Sequence, residues 1–293
     1  MIQFSNVIKS FRRHEVLKGI DLAIKRGQRV ALVGSNGAGK TTLIRCLLGQ
    51  YNCDGTVTID EKNPRDYRQE VLSKVGFVPQ LPPPLRMPVG QLVHFSASLC
   101  NSDPELINHV AEQLGFDARQ YSAHPFVKLS GGQKQKLLIA IALGRSTELL
   151  IMDEPAANLD PEARHILFKL LAEKQETSAM LISSHRLDEV ASLVNRVIEM
   201  DQGKIILDDE VADHVDMSSQ LICKIKMTHP EDAFAKALSE WGFSIDAAQT
   251  VWTGLIAGPD RLRFLGMLSR YAALLAGLEM NDEKVASEVE DVA

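Results

Sequence analysis

The sequence lacks the features that mark secreted, membrane-spanning and nucleic-acid-binding proteins. Its four cysteines lie apart with no CxxC spacing, so neither a zinc knuckle nor a disulfide framework is predicted. No apolar run approaches the ~20 residues that span a bilayer, and the first residues do not resemble a signal peptide. A net charge of −6 disfavours binding to a phosphate backbone. These absences predict a chain that works in a reducing, aqueous compartment.

One glycine-rich segment carries the strongest functional signal. It follows a strand-like apolar run, residues 29–33, and precedes a helix-like run, residues 43–48. This order is typical of a P-loop, in which backbone N–H groups and a helix N-terminus face nucleotide phosphates. Lys40 would reach the β- and γ-phosphates, and the Thr41 hydroxyl would ligate Mg²⁺. The predicted phosphate-binding residues are Gly34, Ser35, Asn36, Gly37, Ala38, Gly39, Lys40, Thr41 and Thr42.

Five further motifs follow the P-loop. A strand-like run is closed by Gln80, and a second apolar run ends in two carboxylates, Asp153 and Glu154. The others are the sequences LSGGQ at 129–133, NLD at 158–160 and SSH at 183–185. Together these motifs resemble the ATP-binding subunit of an ABC transporter, with its glutamine loop, Walker B carboxylates, signature, D-loop and switch histidine. The resemblance implies an ATPase that uses ATP and Mg²⁺.

The resemblance also implies an α/β fold. The expected architecture is a P-loop NTPase, with a RecA-like core and the antiparallel β and helical subdomains of the ABC family. We expect the nucleotide-binding domain to span residues 1–207 and its helical subdomain to span about 88–125. The strands that lead into Gly34 and Asp153 are expected to lie side by side in a parallel sheet.

Two adjacent carboxylates can divide the work of ATP hydrolysis. Asp153 would help to hold Mg²⁺, while Glu154 would polarise the attacking water. By resemblance, His185 would hydrogen-bond the γ-phosphate and the water, and Gln80 would contact Mg²⁺ or the water. The implied catalytic residues are Glu154, His185, Gln80 and Lys40, and the implied Mg²⁺ ligands are Thr41, Gln80 and Asp153.

The LSGGQ signature indicates a dimer. It forms a second anion-binding helix start, although the P-loop already supplies a complete phosphate cradle. The chain has one copy of each motif and no internal repeat, so it must pair with a second chain. The resemblance implies head-to-tail pairing, in which the signature of one subunit covers the ATP of the other. The residues expected to contact that nucleotide or the interface are Ser130, Gly131, Gly132, Gln133 and Asp160.

Phe11 lies at the spacing where the ABC family places the aromatic ring that stacks on adenine. An ordinary core position is the alternative interpretation. Because any base can stack on an aromatic ring, the preference for ATP over GTP rests on the resemblance alone.

The segment between Gln80 and the signature is where a membrane subunit would dock. Residues 81–88 include four prolines, so they are stiff and cannot join the interior of a helix or sheet. Two helix-like segments follow, 89–99 and 104–114, and Asp103 is a suitable cap for the second. In the family this region receives a helix of the permease. A stiffened loop without a partner is the alternative.

Residues 208–293 differ from the rest of the chain. They hold both tryptophans, Trp241 and Trp252, and carry 16 Asp and Glu against 7 Lys and Arg. Their pattern, with a second helix expected over 260–275, is compatible with a small βαββαβ, ferredoxin-like α+β module, followed by a solvated acidic tail at 283–291. We expect an accessory module for dimerisation or regulation. If two such modules pack together, Trp241 or Trp252 should be buried between them. A module that only adds stability is the alternative. Comparable extensions are typical of exporter-type (ABC-2) ATPases.

Two function classes are compatible with these motifs. The favoured one is the ATP-hydrolysing motor subunit of an ABC transporter, held at the cytoplasmic face of the membrane by its permease. Its expected partners are the permease and a second copy of itself or a homologous subunit. The alternative is a soluble, single-module ATPase that serves as a scaffold for cofactor assembly. Neither the coiled-coil insertion of chromosome-repair members nor the second ATPase module of translation factors is present, and no nucleic-acid partner is expected.

Overall fold

The computed structural model describes residues 1–174, 178–185, 187–210, 220–229, 231–246, 251–257, 264, 267–268, 271 and 274–282. The chain divides into two compact units, Met1–Val211 and Ala212–Ala293. The boundary lies beyond residue 207, because a strand that begins at Lys204 continues to Glu210 and pairs there with Arg196. In the described part of the chain, no helix is long and apolar enough to cross a membrane.

The first unit combines two β-sheets with α-helices. Its strands are β1 Ile2–Phe11, β2 His14–Ile24, β3 Arg29–Val33, β4 Asp54–Ile59, β5 Val75–Val78, β6 Leu149–Asp153, β7 Ala179–Ser184, β8 Arg196–Asp201 and β9 Lys204–Glu210. Its α-helices are α1 Lys40–Leu47, α2 Arg68–Leu72, α3 Val89–Leu99, α4 Pro104–Gln113, α5 Gly131–Leu143, α6 Pro161–Glu173 and α7 Leu187–Val190.

A three-stranded antiparallel sheet, in the order β2-β1-β4, forms one layer. Arg12 and Arg13 make the turn between β1 and β2, where Phe11 is paired with His14. Alternate residues, such as Ile2 and Phe4 on β1, point into a core shared with α1, which is consistent with the period of two in a half-buried strand. This hairpin brings Phe11 and His14 to one end of the sheet.

The second sheet has the strand order β5-β6-β7-β3-β8-β9 and is parallel except for β9. The strands that lead into Gly34 and Asp153 are therefore not side by side, contrary to the expectation from sequence. β7 lies between them and pairs with both, and all six of its residues are buried. Because parallel strands end at the same edge, the segments that follow β3, β6 and β7 meet there.

The predicted helical subdomain is present as α3 and α4 packed on α5. An isolated bridge between Pro88 and Pro125 closes the segment at its two ends. α3 has the predicted bounds, and α4 ends one residue before the predicted Leu114. The side chain of Asp103 caps α4 by accepting a hydrogen bond from the N–H group of Glu105 at 2.9 Å.

The second unit contains a four-stranded sheet. Its described elements are β10 Gln220–Met227, α8 Asp232–Glu240, β11 Ser244–Ile245, β12 Val251–Ala257 and β13 Leu275–Asp282. The sheet order is β11-β12-β10-β13, and all neighbours are antiparallel. The helix expected over 260–275 is described only in part, and at its last residue, Leu275, a strand begins instead. The acidic tail at 283–291 lies outside the described residues.

The tryptophans of the second unit occupy different positions. Trp252 is 7% exposed and belongs to the core of the unit, where it joins Phe234 and Phe264. Trp241 packs its ring edge-on against Phe264, with 5.1 Å between the ring centroids. Trp252 is therefore buried within a single module and not between two modules.

Candidate active site

The P-loop backbone is folded tightly around the start of α1. Gly34 has a φ of 146°, and a Cβ atom there would lie 2.2 Å from the carbonyl oxygen of Met200. Gly39, with a φ of 110°, directly precedes the first residue of the helix, Lys40. Only glycine combines this backbone freedom with so close an approach, so the loop shape follows directly from the sequence.

Lys40 lies inside this loop. Its side chain is largely buried, and Nζ donates hydrogen bonds to the carbonyl oxygens of Gly34 at 2.6 Å and Ser35 at 3.1 Å. An ammonium group has three N–H donors, so two hold the loop and one remains for a phosphate oxygen. The residue thus braces the loop and can also bind an anion.

Asp153 and Glu154 are held by the neighbouring strand β7. The hydroxyl group of Ser183 donates to Asp153 Oδ1 at 2.6 Å and accepts the backbone N–H of Glu154 at 3.0 Å. Glu154 has a φ of 50°, which few residues other than glycine adopt and which costs about 1–3 kcal/mol. The surrounding contacts must therefore hold Glu154 in this conformation.

His185 follows β7 and reaches the side chain of Glu154. Its Nδ1 atom lies 3.2 Å from Glu154 Oε2. The glutamate side chain is mostly buried, whereas the imidazole is about half exposed. This pair joins the predicted base to the predicted switch histidine and leaves part of the imidazole accessible.

A groove of about 390 Å³, the P-loop groove, brings most of the predicted ATP-site residues together. Gln80 and Glu154 face the P-loop across it, and His14 and Val16 from strand β2 complete the wall. Asp153, which is 2% exposed, lies at the end of the strand that precedes Glu154. The P-loop residues that line the groove are Ser35, Asn36, Gly37, Ala38, Gly39, Lys40, Thr41 and Thr42.

The oxygen donors at and beside this groove fit Mg²⁺. Thr41 and Gln80 line the groove and offer hydroxyl and amide oxygens. Asp153, which directly precedes the groove residue Glu154, offers a carboxylate, and oxygens of these kinds are the ligands that this hard cation prefers. Within the residues that the structure describes, no group of three His, Cys, Asp or Glu side chains could hold a metal ion. The ion would therefore share its ligands between these oxygens, water and nucleotide phosphates, as is usual for Mg²⁺.

The signature residues line a different groove, the signature groove, of about 560 Å³. Ser130 caps α5 by accepting the N–H of Gln133 at 3.2 Å, and Gln133 Oε1 accepts the N–H of Ser130 at 2.9 Å. This capping box leaves the N–H groups of Gly131 and Gly132 at an open helix N-terminus. Ser130, Gly132 and Gln133 line the groove.

Asp160 lies in this second groove. It caps α6 by accepting the N–H of Ala163 at 2.8 Å and forms an ion pair with Lys136 at 2.8 Å. The hydrogen bond from Lys136, helped by that from Ala163, holds the pKa of the Asp160 carboxyl below its usual value. In the described structure the Asp160 carboxylate therefore makes contacts within its own chain, where it links α5 to the start of α6.

Phe11 stands apart from the residues that line the P-loop groove. Its ring is 40% exposed and packs edge-on against Tyr51 at a centroid distance of 5.2 Å. The ammonium of Lys9 lies 4.8 Å from the centre of the ring. Phe11 is therefore not a buried core residue, and the base-stacking role stays a prediction.

Comparisons with known proteins agree on the family. The family model described as ABC transporter matches residues 17–157. The Nod factor export ATP-binding protein I of Cupriavidus metallidurans is 33% identical over 233 residues, covering 77% of this chain and 75% of that protein. The chain belongs to the ABC transporter ATP-binding family. The arginine transport ATP-binding protein ArtM of Bacillus subtilis, 32% identical over 220 residues, covers 71% of this chain and 90% of its own length.

The solved structures show the same fold as this ABC ATPase. One is a dimeric ATP-binding cassette bound to ADP and Pi in a post-hydrolysis state. It superposes with a TM-score of 0.64 at 21% identity, covering 72% of this chain and 99% of that one. The predictions of an ABC ATPase and of a P-loop α/β fold are confirmed.

The structure adds residues for which the motifs predicted no role. His14 and Val16 line the P-loop groove because they alternate along β2 directly after the turn that follows Phe11. Ser183 contacts the carboxylate of Asp153 and the backbone N–H of Glu154, since it lies opposite Asp153 in the pairing of β6 with β7. The sequence signal for Ser183 was a hydroxyl at the end of an apolar strand. Its partner could be recognised only from the strand order.

Proposed function

We propose that this ABC ATPase is the motor subunit of a membrane transporter, which binds two ATP molecules between two head-to-tail subunits and drives a permease. The proposal rests on one observation: the P-loop and the signature, each expected to form half of an ATP site, line separate grooves on one chain. The P-loop groove and the signature groove share no described lining residue. A complete ATP site would therefore combine the P-loop of one subunit with the signature of another.

The chemistry follows from the contacts of the P-loop groove. Lys40 and the N-terminus of α1 stabilise the negative charge of the phosphates. The carboxylate of Glu154 accepts a proton from the attacking water, and His185 keeps that carboxylate oriented through the contact at 3.2 Å. Thr41, Gln80 and Asp153 would hold Mg²⁺, which would neutralise negative charge on the β- and γ-phosphates. The signature of the second subunit would contact the phosphates from the opposite side through the N-terminus of α5.

The helical subdomain and the proline-rich segment before it offer a surface for the permease. Leu81 in that segment is 71% exposed, and Phe95 and Leu99 on α3 are each at least half exposed. Exposed apolar surface of this kind supports docking of a partner protein. We place the chain at the cytoplasmic face of the membrane, held there by this contact. The exporter-type group is our preferred placement, supported by the identity with a Nod factor export protein and by the extension after residue 211.

For the second unit we propose a dimerisation or regulatory role. Its sheet order, with β10 between β12 and β13, is that of a ferredoxin-like βαββαβ unit. A chain shortened to residues 1–211 should bind ATP but form dimers less readily than the full chain, as measured by sedimentation with ATP. The cut has to follow β9, because a shorter chain would lose an edge strand of the parallel sheet. Equal dimerisation would leave only a stabilising role.

The head-to-tail arrangement can be tested by mixing two inactive variants. Lys40→Ala removes the P-loop cation, and Ser130→Arg fills the signature groove. In a mixed dimer, one site combines the intact P-loop of the Ser130→Arg chain with the intact signature of the Lys40→Ala chain. We expect each variant alone to be almost inactive and the mixture to recover ATPase activity.

The control is a mixture in which one partner carries both substitutions. Such a dimer with a Lys40→Ala chain has no intact P-loop, so it should stay inactive. If the two single variants do not complement each other while each still forms dimers, the signature would act within its own chain. That outcome would overturn the head-to-tail proposal.

A further inference from the structure

Ser183 hydrogen-bonds both the carboxylate of Asp153 and the backbone N–H of Glu154. We propose that it is a positioning residue for hydrolysis, whose hydroxyl group orients the Mg²⁺-binding carboxylate of Asp153 and the backbone of Glu154 at the same time. The inference deepens the proposed function and rests on the roles that this function assigns to Asp153 and Glu154.

Ser183 uses its single hydrogen-bond donor and one of its acceptor positions in these contacts. A serine hydroxyl has one donor and two acceptor positions. The donor goes to Asp153 Oδ1 at 2.6 Å, a length typical of a hydrogen bond to a charged carboxylate. One acceptor position takes the N–H of Glu154 at 3.0 Å. Ser183 is completely buried, so water does not compete for these bonds.

The first consequence concerns Asp153. Strand pairing places Ser183 directly opposite Asp153 in the parallel register of β6 and β7. Because Oδ1 is engaged by the hydroxyl, the orientation of the carboxylate is set and Oδ2 is presented for other contacts. Carboxylates that bind metal ions are commonly oriented in this way by a hydrogen-bond donor behind them.

The second consequence concerns Glu154. Its N–H group lies near both the hydroxyl and the carbonyl oxygen of Ser183, at 3.0 and 3.2 Å. These two acceptors help to hold the backbone at a φ of 50° and so set the direction in which the side chain leaves the chain. On the other side, Gln135 Nε2 donates to the carbonyl of Pro155 at 3.1 Å. Ser183 thus controls the geometry of the proposed base through its backbone.

Three variants separate a positioning role from a structural one. Ser183→Ala removes the hydroxyl, and Ser183→Thr keeps it with a side chain suited to a strand. Ser178→Ala is the matched control, because its buried hydroxyl donates to the carbonyl of Thr147 at 2.6 Å and contacts neither carboxylate. Ser178 directly precedes the first residue of β7, at the end opposite to Ser183.

The first measurement is steady-state ATPase activity with saturating Mg²⁺. We expect Ser183→Ala to lower kcat about 10-fold or more, as is typical when the hydrogen-bond partner of a metal ligand is lost. Ser183→Thr should recover most of the lost kcat, and Ser178→Ala should behave like the parent chain. A kcat for Ser183→Ala within about 2-fold of the parent, or an equal loss in Ser178→Ala, would overturn the proposal.

The second measurement does not depend on turnover. Binding of a fluorescent N-methylanthraniloyl derivative of ATP is titrated with MgCl₂ or in EDTA. Affinity in EDTA should be the same in all variants, and the affinity gained by adding Mg²⁺ should fall in Ser183→Ala alone. An unchanged gain would overturn the proposal. If the parent chain itself gained nothing from Mg²⁺, the assignment of Asp153 as a metal ligand would fail as well, so the two failures are distinguishable.

Discussion

The two units of the chain both combine helices with a sheet, but their strands run differently. In Met1–Val211, β3, β6 and β7 are parallel, so the P-loop, the carboxylates and His185 all follow strand ends at one edge. In Ala212–Ala293 every described strand pair is antiparallel, so successive strand ends alternate between opposite edges. A parallel sheet gathers functional loops in one place, whereas the antiparallel sheet of the second unit distributes them.

The largest expected effect tests the chemistry at the parallel edge. Glu154→Gln removes a base and keeps the volume, so turnover should fall at least about 100-fold while ATP binding persists. The variant should accumulate as a dimer with ATP, visible by size-exclusion chromatography. Lys40→Ala should instead weaken ATP binding itself. Turnover by Glu154→Gln at the parent rate would show that this edge is not where the base lies.

A second prediction tests whether the second unit can be destabilised without any effect on ATP binding. Trp252→Ala leaves a cavity in its core and should lower the free energy of unfolding of that unit by about 3–5 kcal/mol. Both tryptophans lie in the second unit, so the fluorescence of the remaining Trp241 reports its unfolding. ATP affinity should not change. A parallel loss of ATP affinity would show that the two units are not independent in function.

A third prediction tests whether the antiparallel sheet of the first unit also contributes a residue to ATP binding. Phe11 lies at the end of β1 in the antiparallel sheet, and Phe11→Ala should weaken ATP binding about 10-fold, the scale of one stacked base. Phe11→Tyr keeps the ring and should bind ATP like the parent chain. GTP affinity should fall by the same factor, because stacking does not distinguish bases. Calorimetric titration measures both nucleotides, and unchanged affinities would assign Phe11 a purely structural role.

The smallest expected effect concerns Asp160 in the signature groove. Its pKa is depressed mainly by the hydrogen bond from Lys136, so its contribution to stability is complete above the ordinary value of 3.8. That contribution is lost as the pH falls through the lower pKa of the folded chain. Lys136→Met should raise the pKa of Asp160 towards 3.8, as measured by carbon-13 NMR of the carboxyl group. A pKa that does not respond would show that the helix cap alone depresses it.

The sequence by itself determined the local elements of the site. The P-loop, the signature and the carboxylate pair were recognised because each depends on residue types at short spacing, such as the glycines that permit the turn before Lys40. The bounds of α3 and the cap at Asp103 could be predicted for the same reason, since caps and prolines act within one helical turn.

Only the tertiary structure decided how those elements combine. It placed β7 between β3 and β6, paired Asp160 with Lys136 in the same chain, and buried Trp252 inside the second unit. It also brought the hydroxyl of Ser183 to Asp153, which is 30 residues away in sequence. Strand order and side-chain pairing depend on contacts between distant segments. Hydrophobic periodicity shows that a strand is buried, but it does not show which strand will be its neighbour.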